Sequence, residues 1–374
     1  MPYAFLTNPA LDRTRKFGVE EQQIQSLDGA RVAFETITAW PGYAPTPLLA
    51  LTDMARELGV GDILYKHEAH RFGLKSFKAL GGAYAVQRLV AARGGSTGLV
   101  VTSATDGNHG RSVAWGAQRL GIHAIIFIHA TVSQGRADAI AAYGADVRRV
   151  PGNYDDAVRA AAEAADANGW VVVSDTSWPG YETIPKDVMQ GYAVMPWECE
   201  AQGAHPTHVF VQGGVGGLAA AVLAYEWQRL GADRPLVIVV EPDHAACLFE
   251  SAKAGAIVTI PGDLDTIMAG LACGEPSLLA WRLLQPGIDA FVTITDADAA
   301  EAMRLLADQQ IAAGESGVAG LAGLRCIMSD ADARRQLKLD QRSRVLCYGT
   351  EGATDPAVYE RIVGRSASDV EAVV

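Results

Sequence analysis

Short apolar runs alternate along most of this chain with longer stretches of mixed polarity. Gly98-Leu99-Val100-Val101-Thr102, Ala124 to Ile128, His208 to Val211, Leu236 to Val240, Phe291 to Ile294 and Val345 to Tyr348 are nearly continuous apolar runs. Runs of that length suit strands buried on both faces. Asp62 to Lys66, Asp146 to Val150 and Trp170 to Ser174 read as further strands. Between them the spacing predicts helices over Arg111 to Leu120, Gln134 to Tyr143, Tyr154 to Asn168, Pro185 to Cys199 and Leu218 to Leu230. Two more are predicted over Asp298 to Ala313 and Ser316 to Met328. Residues 1–60 read as a polar, weakly patterned arm, broken by Pro41 to Pro47 and holding one short helix over Leu49 to Leu58. The alternation predicts an α/β protein with mostly parallel sheets covered by helices. With 374 residues and no linker-like segment, two domains would be nested rather than strung in series.

Composition narrows the function. A net charge of −12 with no basic patch argues against nucleic acid as a partner. Five cysteines, Cys199, Cys247, Cys273, Cys326 and Cys347, lack metal-ligand spacing and fit a reducing compartment. No basic, then apolar, leader opens the chain, and no uncharged run reaches membrane-spanning length. A cytoplasmic protein acting on a small molecule is the expectation.

The residues with chemical potential cluster just after the predicted strands, the edge where open α/β sheets bind ligands. One such stretch is Lys66-His67-Glu68-Ala69-His70-Arg71-Phe72-Gly73-Leu74-Lys75-Ser76-Phe77-Lys78, leading to Gly81-Gly82. Ser76 reads as a helix N-cap with Lys78 in the first turn, where the backbone dipole disfavours the ammonium and makes the amine a nucleophile. The plain alternative is a surface lysine at a helix start. Gly213-Gly214-Val215-Gly216-Gly217, between a strand and a helix, reads as a phosphate cradle. Gly214 to Ala219 also satisfies G-x-G-x-x-A, with Glu241 ending the next strand, which would suit an NAD-dependent oxidoreductase. That second reading leaves Lys78, Asn108 and Thr350 without a task. Asp106 and Asp175 follow strands, where fixing a turn and doing chemistry both stay open. His67-Glu68-Ala69-His70 is not H-E-x-x-H, and on a strand its histidines would face opposite ways, so no metal site is expected. His129 reads as an ordinary packed or edge histidine. No G-x-S-x-G elbow is present.

Taken together, these motifs resemble the fold-type II pyridoxal-phosphate enzymes, the group of the serine and threonine dehydratases. Ser76-Phe77-Lys78 resembles their cofactor-linking S-F-K, Gly107-Asn108-His109 their G-N-H, and Gly213 to Gly217 their phosphate loop. Within that group the chain is similar to the diaminopropionate ammonia-lyases from about Tyr43 to Pro356. The similar segments include Glu68 to Leu74, Thr105 to Arg111, Asp175-Thr176-Ser177-Trp178-Pro179-Gly180-Tyr181, Met268 to Pro276, Gly314 to Gly317 and Thr350 to Pro356. The resemblance implies a two-domain fold, each domain a mostly parallel sheet covered by helices. The smaller domain, 85–187, would be inserted in a larger one made of 1–84 and 188–374. It further implies pyridoxal 5'-phosphate linked to Lys78, with its phosphate at Gly213, Gly214, Val215, Gly216 and Gly217. The ring oxygen would lie near Asn108 and the pyridine nitrogen near Thr350. The implied reaction is α,β-elimination of 2,3-diaminopropionate to pyruvate and two ammonia, with serine/threonine-type dehydration as the alternative. Lys78 would take the Cα proton on its side, Asp106 on the opposite side for a D-isomer, and Asp175 would hold the β-ammonium. A homodimer is also implied. Lys75 stands where a neutral residue is expected, and should lower the Lys78 amine pKa or meet a substrate carboxylate. Cys247 and Cys273 lie in segments similar to the family's active-site region.

Overall fold

The computed structural model describes residues 3–372; Met1, Pro2, Val373 and Val374 lie outside the described residues. Among the described residues eleven strands run in chain order: β1 (Ala4–Thr7), β2 (Leu48–Ala50), β3 (Asp62–His67), β4 (Val100–Ala104), β5 (His123–His129), β6 (Asp146–Val150), β7 (Val171–Val172), β8 (His208–Gln212), β9 (Leu236–Pro242), β10 (Ala290–Ile294) and β11 (Arg344–Gly349). They form two sheets. One has seven strands in the order β1-β10-β9-β8-β11-β3-β2, and the other has four in the order β6-β5-β4-β7. The four-stranded sheet is wholly parallel, and in the larger sheet only the edge strands β1 and β2 run antiparallel. The smaller sheet comes from the middle of the chain, so the smaller domain is inserted in the larger, and both are α/β.

Strand periodicity explains why the larger sheet is apolar on both sides. Val209, Val211, Val237, Val239 and Phe291 join one core, while Phe210, Ile238, Val240, Val292 and Ile294 join the core on the opposite face. Helix Gly217–Leu230 covers the first face and helix Ala319–Ser329 the second.

Several elements depart from the sequence expectation for identifiable reasons. The polar arm contains β1, which pairs antiparallel with β10, and helix Leu27–Thr38, capped by Ser26 Oγ accepting from Gly29 N at 3.0 Å. The predicted helix over Leu49 to Leu58 is split, its first residues adding to β3 as β2 before helix Thr52–Leu58. Pro185 to Cys199 is two helices, Thr183–Tyr192 and Val194–Ala201, because Pro196 has no N–H to offer Tyr192 O. Helix Asp296–Asp308 stops short of Ala313, with Gln310 at φ +65°. The next helix begins at Ala319 rather than Ser316, since the N–H groups of Gly314 and Ser316 bond to Glu351.

Where β3 ends, four charges are buried together. Arg71 grips Glu68 in a fork, with Nε–Oε2 and Nη2–Oε1 both at 2.9 Å, and reaches Glu198 Oε1 at 2.7 Å. Lys66 Nζ completes the group 2.7 Å from Glu198 Oε2, and Thr46 Oγ1 donates to Glu68 at 2.6 Å. All four charged side chains are at most 2% exposed. Two cations meet two anions, so the cluster is neutral. It fixes the residue 68–71 turn against helix Val194–Ala201 and against the proline-rich arm.

Candidate active site

The carboxyl ends of β3, β4, β7, β8 and β11 all lead into loops that carry the predicted residues. The Lys78 loop is laced to the loop after β11: Phe77 N donates to Thr350 O at 3.0 Å, and Gly352 N to Lys75 O at 2.9 Å. Lys78 itself occupies the N-cap of helix Ala79–Arg93 rather than its first turn, and Ser76 Oγ accepts from Lys78 N at 3.3 Å. The Lys78 amine lies 2.5 Å from Asp175 Oδ2 and faces the rings of Phe77 and Tyr192.

This pair overturns the expected ionisation of Lys78. Burial works against the ammonium, but the Asp175 carboxylate outweighs it and the amine is held well above its ordinary value. Asp175 shows the reciprocal effect. Burial would raise it, yet Lys78 and His109 hold the carboxyl well below the usual carboxylate range. Lys75 has no part in this balance. It is exposed, at φ +54°, and its Nζ donates to Ala353 O at 3.3 Å.

The remaining predicted residues lie on neighbouring strand-end loops. Asn108 begins helix Asn108–Leu120; its Nδ2 donates to Glu351 and its Oδ1 accepts from Arg111 at 3.1 Å. Glu351 Oε1 accepts in turn from Ser316 N at 3.0 Å. Thr350 Oγ1 accepts from Gln212 Nε2 at 3.2 Å, which leaves the hydroxyl proton free to donate elsewhere. Asp106 is bonded to His129 Nε2 at 2.6 Å, so His129 is tied to a predicted residue rather than merely packing. Cys273 senses Asp175, Asp106 and Lys78 together, and burial with the two carboxylates pushes its thiol up to about 12. Cys247 and Cys273 are both free and lie against Gly214, Cys247 Sγ donating to Gly214 O at 3.5 Å.

Gly213 to Gly217 passes a direct test of fit for a phosphate. Among the described residues, the N–H groups of Gly214, Val215, Gly216 and Gly217 meet no protein acceptor, and they lead into the N-terminus of helix Gly217–Leu230. Gly213 is packed so that a Cβ would come 2.6 Å from Val239, and Gly216 sits at φ +95° with Leu284 2.8 Å from where its Cβ would be. Glu241 cannot serve a ribose. It is fully buried and accepts from Leu248 N and Phe249 N at 2.8 and 2.7 Å, so the dinucleotide reading loses its acid.

Sequence reasoning passed over four neighbours. His109 was seen only as part of a motif, but its Nε2 meets Val173 O at 2.9 Å and its Nδ1 lies 3.7 Å from Asp175. Tyr192 and Arg136 fall inside predicted helices with no role assigned to them, and Glu351 inside a similar segment. Arg136 spans the two sheets' domains, bonding Glu315 at 2.8 Å. None carries a local pattern that singles it out, since each acts through a partner distant in sequence.

A lysine at a strand-to-helix loop, a glycine cradle with free N–H groups and a free hydroxyl at a third strand end define a pyridoxal-phosphate enzyme of fold type II. The family model for pyridoxal-phosphate dependent enzymes matches residues 39–351. The chain is 41% identical to diaminopropionate ammonia-lyase of Escherichia coli K12, over 93% of this chain and 94% of that one. The Salmonella typhimurium diaminopropionate ammonia-lyase is 40% identical over 87% and 90% of the two chains. The crystal structure of the Escherichia coli enzyme in complex with an aminoacrylate–PLP azomethine reaction intermediate superposes with a TM-score of 0.89, at 38% identity over 96% of each chain. This chain belongs to the diaminopropionate ammonia-lyase family of pyridoxal-phosphate dependent enzymes.

Proposed function

We propose that this enzyme catalyses α,β-elimination of 2,3-diaminopropionate to pyruvate and two ammonia, with Lys78, Asp106 and Asp175 as its catalytic residues. The observation that carries the reading is the 2.5 Å pair between the Lys78 amine and Asp175. A carboxylate that is held ionised and already grips one ammonium is suited to grip another, the substrate's β-ammonium. It gives a hydroxyl no comparable advantage.

Pyridoxal phosphate, when bound, withdraws electrons from the substrate's Cα and so supplies the acidity and the β-elimination that the side chains lack. Lys78 would hold it covalently, Gly213, Gly214, Val215, Gly216 and Gly217 its phosphate, Asn108 its ring oxygen and Thr350 its ring nitrogen. The hydroxyl of Thr350, unlike a carboxylate, does not favour a charged pyridine, which suits prompt loss of a leaving group. Lys78 Nζ would take the Cα proton on its own face only as the neutral amine that the substrate's amine displaces from the cofactor, with Asp175 then turned to the substrate, and Asp106, bonded to His129, would take it on the other face for a D-isomer. Asp175 holds the β-nitrogen as ammonium until it leaves.

The same proposal assigns 85–187 to the small domain and 1–84 with 188–374 to the large, and makes the enzyme a cytoplasmic homodimer. Among the described residues no helix is long and apolar enough to cross a membrane. Light scattering of the purified chain tests the dimer.

The decisive assay compares pyruvate release from 2,3-diaminopropionate, serine and threonine on protein whose visible cofactor absorbance borohydride fixes to Lys78. Preference for the hydroxy amino acids would make the enzyme a dehydratase instead.

A further inference from the structure

The turn after β3 holds two histidines that the elimination chemistry leaves unused. β3 ends at His67, and Glu68–Gly73 folds as a 3-10 turn instead of extending the strand. The two rings therefore meet, with centroids 5.0 Å apart and planes at 84°, rather than facing opposite ways. Glu371 closes the group from helix Ala367–Glu371, far along the chain. One donor atom from each of His67, His70 and Glu371 lies within 4.8 Å of the other two. His67 is only 4% exposed and its Nδ1 is buried with no hydrogen-bond partner among the described residues. A buried nitrogen left in that state is destabilising unless something satisfies the ring.

We propose that His67, His70 and Glu371 bind a divalent transition-metal ion of the zinc type, as a clasp between the C-terminal helix and this turn. Two imidazoles and one carboxylate are a donor set that borderline ions such as Zn²⁺ accept, with water free to take a fourth position. Metal–donor lengths of about 2.0–2.2 Å place tetrahedral donors roughly 3.3–3.6 Å apart, so donors now within 4.8 Å must close by up to about 1.5 Å. His70 and Glu371 are exposed and free to turn, whereas His67 is fixed. The clasp would steady more than the chain end. Ala69, between the two histidines, packs so closely on Gly352 that a Cβ there would lie 2.7 Å from it, and His67 pairs in register with Gly349. Both flank the loop that carries Thr350.

The test uses holoenzyme stripped with a chelator and then titrated with Co²⁺, read by visible absorption, and with Zn²⁺, read by calorimetry. We expect one ion per chain, a tetrahedral Co²⁺ band distinct from the cofactor's, and a Tm that Zn²⁺ raises. His70→Ala and Glu371→Gln change exposed side chains and should leave elimination activity intact, while each abolishes the stoichiometric uptake and the Tm rise. No stoichiometric uptake by the wild-type enzyme, or uptake undiminished in both variants, overturns the proposal.

Discussion

At Asp175 the site gathers more acceptors than donors. Val173 O accepts only, so His109 Nε2 carries the ring proton, and burial keeps the neutral imidazole dominant. His109 Nδ1 is therefore a bare acceptor 3.7 Å from a carboxylate, and an ammonium is what both can share. Asp175→Asn should lower kcat/KM for diaminopropionate by about 10²-fold or more, the effect of removing one partner of a desolvated ionic contact. Parallel kinetics with serine should show a smaller loss. Asp106→Asn should act differently, costing turnover of D-diaminopropionate far more than of the L-isomer in paired assays. Glu241 provides a pH test. Burial pushes its carboxyl up to about 8, from an ordinary value near 4.5. Its raised pKa means that the folded state holds a proton the unfolded chain releases. Stability from this group is complete at low pH and falls as pH rises from about 4.5 through 8. In thermal melts between pH 5 and pH 9, Glu241→Gln should flatten that decline.

At the scale of elements, the glycine loop shows how a turn can be legible while its reason is not. Four glycines in five residues announced a close backbone approach. Only the fold shows that Gly216 needs φ +95° and has Leu284 against it. Gly216→Ala should cost about 1–2 kcal/mol of local strain before any clash, and show as faster loss of cofactor absorbance on dialysis. The central parallel strands were readable because both cores draw on alternate residues of uniformly apolar runs. β1 was not, since Ala4 to Thr7 has no inherent strand signature beyond the β10 edge it covers. The helix at Leu27–Thr38 could have been found from Ser26 and from the spacing of Ala30, Ala33 and Ile37. In the candidate site, Lys78, Asn108 and the glycine loop were legible as motifs. The ionisation of Lys78 was not, because it is set by Asp175, ninety-seven residues away in sequence.

The whole molecule draws its candidate site from strand-end loops of both sheets, and anchors the turn after β3 with the neutral cluster of Lys66, Glu68, Arg71 and Glu198. Coulomb attraction there mostly offsets the loss of hydration, so the cluster adds little net stability while intact. Breaking it is another matter. Arg71→Met leaves two carboxylates with one cation and should cost about 3–5 kcal/mol, read as a lower urea midpoint. Adding Glu68→Gln to that variant should recover part of the loss, because charge parity returns even though another contact is gone. Such an arrangement shapes descent as well as folding. A lineage that loses one member first must pass through a form close to unfolding, so the route to any other packing here runs through near-simultaneous changes. The turn after β3 is thus set to change in whole sets of residues rather than one at a time.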